Sequence, residues 1–298
     1  MKRVAVLMGG VSNEREISLA SGSAIVEALK LAGFEVVPII LQEERLDALP
    51  DDIEAVFLAL HGGYGENGGI QGCLDAMRMP YTGPGVVASR IAMDKIATKR
   101  ILESAGIATA PYEVLSADCD VTSLELPVVV KPPRDGSSVG ISKVTCAEQW
   151  PSALKSARDK DAQGEVLVEK YIHGREWTVG IVGNQAMPIV EIKTPDAWYG
   201  FTEKYTKGVT QYLFPETAED APLVAVCQML ALLAFKAVGC RGVSRVDFRI
   251  TPEGKPYILE INTIPGFTST SLLPKAAAKL GWSFSKLCTM VLQQAKYD

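Results

Sequence analysis

The sequence predicts an α/β fold divided into two or three compact subdomains. The chain has 298 residues, a length at which a single hydrophobic core usually stops growing. Apolar strands alternate with helical segments in its first third, and short strands separated by turns dominate much of the remaining two thirds. With 47% hydrophobic and 22% charged residues, the composition is that of an ordinary globular protein.

Charge and rare residue types exclude several function classes. The formal net charge is -5 and the basic residues are scattered, which argues against nucleic acid as a partner. The only histidines are His61 and His173, and the six cysteines form no CxxC pair, so any metal must be held by oxygen ligands. The longest apolar run, 223–238, is shorter than the ~20 residues that span a bilayer. We expect a cytoplasmic protein with no membrane segment and no signal peptide.

The first third predicts a small open sheet. Apolar runs predict strands at 3–8, 34–41 and 55–60. A helical pattern at about 14–31 follows the first strand, and this order favours parallel strands with helical crossovers. Gly9-Gly10 and His61-Gly62-Gly63 each follow a strand, so both lie at the carboxyl edge where open α/β folds bind ligands.

The rest of the chain predicts a mixed, largely antiparallel layer. Strands are expected at 127–131, 141–144, 166–171, 177–182, 241–250 and 256–262. Helices are expected near 93–105, at 218–238 and twice at the end of the chain. The segment 195–215 has no sustained period, which predicts a long loop of the functional kind.

The most informative segment is the hairpin predicted from the last two strands. If it turns at the Glu253-Gly254 bond, Asp247 lies opposite Glu260. The same register places Arg245 opposite Asn262. Because side chains alternate along a strand, these four residues share one face. The other face is then expected to carry Val246, Phe248, Leu259 and Ile261.

Two carboxylates and an amide on one face suit magnesium, with manganese as an alternative. Asp247, Glu260 and Asn262 are therefore the predicted metal ligands. Arg245 beside them suits charge that develops during group transfer. The alternative is that all four are exposed polar positions of an amphipathic hairpin. An opposed Asp and Glu repel each other unless a cation intervenes, which favours the metal.

A loop of small residues at 131–140 could cradle phosphate oxygens with its backbone N–H groups, and Lys131 would add a charge. It is not a Walker A motif, and a plain hairpin turn is the alternative. The loop also matches GxSxG around Ser138, which raises a serine hydrolase as a rival. A nucleophile elbow needs a helix after the serine, whereas 141–144 predicts a strand.

Several single residues have two interpretations each. Glu14 could bind a substrate ammonium or complement a helix dipole. His61 could orient a substrate or be structural, and Lys95 could reach a phosphate or lie exposed on its helix. Glu169-Lys170, at a strand end, could meet a nucleotide or be merely solvated.

A larger pattern spans nearly the whole chain. Its motifs are Gly9-Gly10-Val11-Ser12, Glu14-Arg15-Glu16, His61-Gly62, Tyr81-Thr82-Gly83, Met93-Asp94-Lys95, Lys131-Pro132, 136–140, Glu169-Lys170, 260–263 and Pro265-Gly266. In this order and spacing they closely resemble the D-alanine:D-alanine ligase family of ATP-grasp enzymes. Such a set is far more specific than any one of its motifs.

The resemblance implies an ATP-grasp fold of three α/β subdomains, with the nucleotide between the central and C-terminal ones. We expect an N-terminal domain at 1–90, a central one at 91–172 and a C-terminal one with the metal and substrate sites at 173–298. The implied reaction joins two D-alanines through a D-alanyl phosphate for peptidoglycan precursor synthesis, releasing ADP and phosphate. Two Mg²⁺ ions and a homodimer are also implied, and activation by K⁺ is left open.

The resemblance also implies roles for individual residues. ATP would contact Lys95, Lys131, Ser138, Glu169, Lys170, Tyr171, Ile172, Glu176 and Lys204. The D-alanines would contact Glu14 and His61 at the first site, and Ser271 and Leu272 at the second. The catalytic set would be Glu14, Ser137, Tyr205, Arg245 and Gly266. Arg245 and the Gly266 N–H would stabilise the oxyanion, and a lid at 198–212 would exclude water.

Three further alternatives stay open from the sequence. A depsipeptide variant would join D-alanine to D-lactate, although Tyr205 in the lid favours the dipeptide product. A regulator could grip ATP without turnover, against which the full set of metal ligands argues. A dinucleotide-dependent oxidoreductase is suggested only by the glycine turn after the first strand, and Gly9-Gly10-Val11-Ser12 lacks the GxGxxG pattern.

Overall fold

The computed structural model describes residues 2–47, 49–136, 139–194, 210–268 and 270–298. Within these ranges the chain forms three β-sheets flanked by helices. The strands are β1 (Arg3–Gly9), β2 (Glu35–Leu41), β3 (Ala55–Leu58), β4 (Tyr112–Leu115), β5 (Val128–Lys131), β6 (Ser142–Val144), β7 (Val166–Lys170), β8 (Arg175–Val182), β9 (Gln185–Ala186), β10 (Val190–Lys193), β11 (Gln211–Leu213), β12 (Val243–Ile250) and β13 (Pro256–Asn262). The helices are α1 (Arg15–Leu31), α2 (Gly69–Ala76), α3 (Val86–Met93), α4 (Lys95–Ser104), α5 (Trp150–Arg158), α6 (Ala221–Ala237), α7 (Leu272–Lys279) and α8 (Phe284–Leu292).

The first sheet confirms the predicted open α/β arrangement. Its central strand β1 pairs in parallel with β2 and β3. Helix α1 packs on β1 through apolar residues at helical spacing, among them Ile25 and Leu29. The two elements approach closely at Gly22, where a Cβ atom would lie 2.6 Å from the Cβ of Met8. The helix therefore lies against the strand with no room for a side chain at that position.

Two antiparallel sheets replace the single mixed layer that the sequence predicts. One has the order β4-β7-β5-β6, and the other has the order β11-β10-β8-β12-β13, with β9 paired to β8. Every strand pair described in them is antiparallel. The prediction of one layer is wrong because the chain leaves the first of these sheets at Lys170 and enters the second at Arg175.

The helix expected near 93–105 is confirmed as α4, and the unpredicted helix α3 precedes it. Asp94 has an extended backbone with ψ 102°, so α3 ends before it and α4 begins after it. Its carboxylate caps α4 by accepting hydrogen bonds from the backbone N–H groups of Ile96 and Ala97. Both helices share a core with Trp177 of the larger sheet. Packing therefore joins residues on both sides of position 90 to that sheet, and the domain boundaries stay a prediction.

Two C-terminal expectations have different outcomes. The strong helix predicted at 218–238 is confirmed as α6, which buries Cys227 and Phe235. The prediction of a loop over 195–215 is wrong near its C-terminal end, where residues 211–213 form β11 and pair with β10. Residues 195–209 of the predicted loop lie outside the described ranges. Within the described part of the chain, no helix has both the length and the apolar character needed to cross a membrane.

The hairpin of β12 and β13 has the predicted register at its polar residues, but it contains a β-bulge that was not predicted. Asp247 pairs with Glu260 as expected, but Phe248 pairs with Ile258, so Leu259 is an extra residue in a β-bulge. Ile258 is fully buried, whereas Leu259 is only half-buried. The prediction that Leu259 lies on the apolar face is therefore wrong, because the bulge places Ile258 on that face opposite Phe248.

The contact between α1 and β1 can be tested by adding one methyl group. We expect Gly22→Ala to lower the free energy of unfolding by about 1–3 kcal/mol, because the new Cβ overlaps Met8. Gly72→Ala is the matched control in α2: its nearest described neighbour would be Val86 Cγ2 at 3.8 Å. The control should gain about 0.5–1 kcal/mol from helix propensity. Equal stabilisation of both variants in urea unfolding would contradict the close packing.

Candidate active site

A cavity of about 670 Å³ is lined by strands of the larger antiparallel sheet and by loops and helices that follow strands of the other two sheets. Many predicted site residues line it together: Glu14, His61, Lys95, Arg245, Glu260, Asn262, Gly266, Ser271 and Leu272. They come from sequence positions more than two hundred residues apart, so only the tertiary fold brings them together. Thr210 and Tyr212 also line the cavity, at the described end of the predicted lid.

At one end of the cavity, Glu14 occupies the N-cap position of α1. Its carboxylate makes no capping hydrogen bond to the helix. The alternative, that it complements the helix dipole, needs no such bond and stays a prediction. The carboxylate instead lies against Gly62, where a Cβ atom would be 2.9 Å from Glu14 Oε2. Gly62 has φ +69°, which favours glycine for a second reason. Glu14 is thus placed to present a negative charge to the cavity.

His61 lies buried beside Glu14, between two partners that the sequence did not indicate. Its Nε2 is 3.2 Å from Ser21 Oγ, and its Nδ1 is 3.7 Å from Glu66 Oε1. Ser21 also accepts a hydrogen bond from the backbone N–H of Phe267 at 3.4 Å. A serine on the buried face of an amphipathic helix was the available signal for this contact. The imidazole is held from both sides, which fixes the orientation it presents to the cavity.

Arg245 extends from β12 into the cavity and is held by a bidentate salt bridge. Its Nε and Nη2 donate to the two carboxylate oxygens of Asp247, both at 2.8 Å. Thr178 Oγ1 donates to the same carboxylate at 2.5 Å. Asp247 is 8% exposed and does not line the cavity. In this geometry Asp247 orients Arg245, and its predicted role as a metal ligand stays a prediction.

Glu260 and Asn262 of β13 fit the predicted cation. The Oδ1 atom of Asn262 is buried and has no hydrogen-bond partner within the described ranges. Leaving such an oxygen unsatisfied costs about 1–3 kcal/mol, which a bound cation would offset. The described residues hold no group of three or more acidic, histidine or cysteine side chains suited to a metal. An ion here would therefore use an amide, few carboxylates and substrate oxygens, as magnesium does.

Lys95, at the start of α4, connects the cation site to the small-residue loop. Its Nζ lies 3.9 Å from Glu260 Oε2 and donates to the backbone oxygen of Asp135 at 2.6 Å. Burial lowers the pKa of the Lys95 ammonium, and Glu260 opposes that shift. Gly136 lines the cavity next to Asp135. The four predicted residues Ser137, Ser138, Lys204 and Tyr205 lie outside the described ranges.

The base of the same loop is fixed by Arg134, which the sequence did not single out. Its guanidinium contacts three carboxylates, those of Asp94, Asp161 and Glu165. Asp94 caps α4, so this arginine sets the position of the loop relative to Lys95. The chain then runs from the loop into strand β6 rather than into a helix. A nucleophile elbow needs that helix, which argues against the serine hydrolase.

Lys131 and Glu169 are buried outside the cavity lining and contact each other. Lys131 Nζ is 2.5 Å from Glu169 Oε2, and the unpredicted Lys99 is 2.8 Å from Oε1. Burial raises the pKa of the Glu169 carboxyl, but attraction from Lys131 and Lys99 outweighs it and lowers that pKa to about 2. Glu169 is therefore ionised, and because only 2% of it is exposed, it is not a merely solvated residue.

The connector between β7 and β8 is organised by Arg249, another unpredicted residue. Arg249 donates to the Tyr171 hydroxyl at 2.7 Å, to the Ile172 backbone oxygen at 3.2 Å and to Glu176 Oε2 at 3.1 Å. The predicted Lys170 instead donates to the backbone oxygen of Glu125 at 2.7 Å. Period-two alternation along β12 from Arg245 and Asp247 was the signal for Arg249.

Comparison with known families identifies the chain. A family model described as D-ala D-ala ligase C-terminus matches residues 101–293, and one described as D-ala D-ala ligase N-terminus matches residues 3–47 and 40–84. The chain belongs to the D-alanine–D-alanine ligase family. The predicted family, ATP-grasp fold and ligase class are thereby confirmed.

Individual members of the D-alanine–D-alanine ligase family match nearly the whole chain. A D-alanine–D-alanine ligase from Anaeromyxobacter dehalogenans is 44% identical and covers 99% of this chain and 97% of its own length. The crystal structure of D-alanine–D-alanine ligase from Bacillus anthracis complexed with ATP has a TM-score of 0.85 and 35% identity, covering 99% and 97% of the two chains. The VanG D-Ala:D-Ser ligase from Enterococcus faecalis has a TM-score of 0.85 and 28% identity, covering 98% and 99%.

Proposed function

We propose that this chain joins two D-alanines to D-alanyl-D-alanine with ATP, releasing ADP and phosphate, as a step in the synthesis of peptidoglycan precursor. One observation carries the proposal: a single cavity holds an acidic end at Glu14, a lysine at Lys95 and a paired arginine at Arg245. The cytoplasm supplies ATP and keeps the six free cysteines reduced, so we place the chain there. The named relatives favour the dipeptide product over the depsipeptide.

The acidic end suits the ammonium group of the first D-alanine. Glu14 supplies the opposite charge, and His61, held by Ser21 and Glu66, orients the substrate beside it. The substrate carboxylate then points toward Lys95 and the small-residue loop. Ser137 and Tyr205 are the predicted links between this loop and the lid, which keeps water from the reactive intermediate.

Phosphoryl transfer follows at the lysine-rich end. A carboxylate oxygen of D-alanine attacks the γ-phosphorus, the bond to the β–γ bridging oxygen breaks, and ADP leaves. Lys95, Lys131 and the backbone N–H groups of the loop, with Ser138, stabilise the charge on the phosphate oxygens. Lys204 of the lid is the further predicted phosphate contact.

The nucleoside lies beyond the phosphates in the proposed complex. The backbone groups of Glu169, Lys170, Tyr171 and Ile172 form the adenine side, and the Glu176 carboxylate meets the ribose. Arg249 supports this assignment because it fixes three of these residues relative to β12.

Glu260 and Asn262 would hold Mg²⁺ or Mn²⁺, and Asp247 is the third proposed ligand for a pair of ions. When bound, the metal supplies positive charge that offsets the phosphate oxygens. The unsatisfied Asn262 Oδ1 supports this assignment. Activation by K⁺ stays a prediction with no site assigned.

The second D-alanine completes the reaction near α7. Its contacts are Ser271, the N-cap residue of that helix, and Leu272, the first helical residue. Its amine attacks the acyl carbon, a C–N bond forms, and phosphate leaves. Arg245 and the backbone N–H of Gly266 stabilise the oxyanion of the tetrahedral intermediate. A Cβ at position 266 would lie 2.9 Å from Ser271 Oγ, which supports a close backbone approach at this glycine.

We also propose that the chain forms a homodimer. The side of α6 that faces away from its core exposes Val226, Met229 and Leu233 in one stripe. Antiparallel contact between two copies of α6 sets exposed Glu219 beside Lys236 of the partner subunit, so the charges are complementary. Sedimentation tests this: Met229→Asp should yield monomers, and a monomeric unmodified chain would contradict the dimer.

The function is tested by measuring phosphate release from ATP and Mg²⁺ with single amino acids of both hands. We expect turnover with D-alanine and little with L-alanine, because the two enantiomers place the methyl group in different positions once the ammonium is held at Glu14 and the carboxylate at the loop. Adding D-lactate or D-serine as the second substrate tests the acceptor, and D-alanyl-D-alanine should remain the main product. Equal rates with both enantiomers of alanine would contradict the proposal.

The role of Arg245 is tested by truncation. We expect Arg245→Ala to lower the rate of dipeptide formation at least about a hundredfold, because a charged donor to the oxyanion is lost. Arg100→Ala removes an exposed arginine from α4 and should leave the rate unchanged. Thermal melting of both variants shows whether they are folded. A folded Arg245→Ala variant with the rate of the parent would remove this residue from the mechanism.

A further inference from the structure

Lys99 is a fully buried lysine to which the proposed reaction assigns no role. It lies on α4, one helical turn after Lys95, with 0% of its surface exposed. Its Nζ atom contacts Glu169 Oε1 at 2.8 Å, and Lys131 contacts the other oxygen of the same carboxylate at 2.5 Å. One buried carboxylate is thus shared by two lysines from different elements.

The Lys99 ammonium is held by partners inside the protein. Besides its ion pair with Glu169, it donates hydrogen bonds to Thr109 Oγ1 at 2.7 Å and to the backbone oxygen of Ala110 at 3.2 Å. Lys99 is therefore fully buried and held in one place.

The same contacts connect two sheets. Glu169 lies on β7 of the four-stranded sheet, whereas the Thr109 hydroxyl donates to the backbone oxygen of Ile258 on β13 at 2.8 Å. Ile258 lies beside the bulge that precedes Glu260. A chain of ion pairs and hydrogen bonds thus runs from Lys131 through Glu169, Lys99 and Thr109 to the strand of the proposed cation ligands.

Charge explains why a second lysine is needed. Lys131 alone would neutralise Glu169, and the buried pair would then present no net charge to a nucleotide. With Lys99 present, two lysines and one glutamate leave one positive charge. Of the two lysines, Lys131 is the more exposed, with 9% of its side chain accessible against 1% for Lys99. Burying the additional charge is costly, so a structural role alone would be better served by an apolar residue.

We propose that Lys99 is a positioning residue that neutralises Glu169 and ties it to β13, so that Lys131 keeps its positive charge for the nucleotide phosphates. The inference rests on the proposed function, because it assumes that ATP binds between these sheets. Lys99 itself touches neither ATP nor the reacting atoms. Its effect passes through Glu169 and Lys131.

Calorimetric titration of the whole chain with ATP and Mg²⁺ tests the proposal. We expect Lys99→Met to weaken ATP binding at least about tenfold, since Glu169 then neutralises the positive charge of Lys131. Arg100→Met, a matched loss of charge from the exposed side of the same helix, should change it less than about twofold. If the unmodified chain binds no ATP, the proposed function fails. If it binds ATP and folded Lys99→Met binds equally well, only this inference fails.

A second variant separates charge from packing. Lys99→Met combined with Glu169→Gln removes one charge of each sign, which restores the single positive charge of Lys131. We expect the double variant to bind ATP at least about fivefold tighter than Lys99→Met alone. No recovery would mean that Lys99 acts only through packing, and would overturn the proposal.

The comparison also works if Lys99→Met does not fold. Glu169→Gln and the double variant both lack the glutamate, so they differ only at position 99. Because Lys99 is proposed to act through Glu169, we expect the two to bind ATP with affinities within about threefold of each other. A much weaker double variant would mean that Lys99 acts independently of Glu169, and would overturn the proposal.

Discussion

The register between β12 and β13 is the constraint on which the rest of the site depends. The bulge at Leu259 takes up one residue, so Asp247 still faces Glu260 and Arg245 still faces Asn262. A slip of one residue would turn every side chain of β13 to the opposite face. Glu260 and Asn262 would then enter the core, where Ile258 and Ile261 now pack against Trp177 and Phe248. The apolar core and the polar site therefore fix each other.

Opposite charge holds the functional side chains in place. Asp247 orients Arg245, Glu176 pairs with Arg249, and Glu169 lies between Lys99 and Lys131. Such buried pairs are weak contributors to stability, because desolvation offsets much of their attraction. Their contribution is geometric: each pair fixes a charge before any substrate arrives, so the site needs little reorganisation when charge develops.

Sequence reasoning predicted the parts of this molecule that depend on local patterns. The three parallel strands, the long helix α6 and the hairpin follow from periodicity, and the order of motifs predicted the family. The hairpin register was predicted correctly although the assumed turn was wrong. The strands turn between Ile250 and Pro256 with one residue less than assumed, and the bulge at Leu259 compensates. No local signal announces a bulge of this kind.

The features that the sequence did not predict depend on partners distant along the chain. Lys99 lies four residues after Lys95 on a helix, which by pattern alone is typical of a solvated position. Only the fold brings Glu169 of β7 to it. Arg249 was missed for a similar reason: it lies on β12, whereas its partners Tyr171 and Ile172 come directly after β7, far away along the chain. Strand patterns alone did not separate the two antiparallel sheets, because they do not specify which strands pair.

The central claim is that the polar face of β13 binds the cation that accompanies the nucleotide. The most direct measurement is the affinity of Mn²⁺ for the chain in the presence of ATP, followed by electron paramagnetic resonance. We predict that Asn262→Ala weakens Mn²⁺ binding at least about tenfold, whereas Asn184→Ala, in the exposed turn after β8, leaves it unchanged. Equal Mn²⁺ affinity in both variants would contradict the account, because the cation would then lie away from this strand.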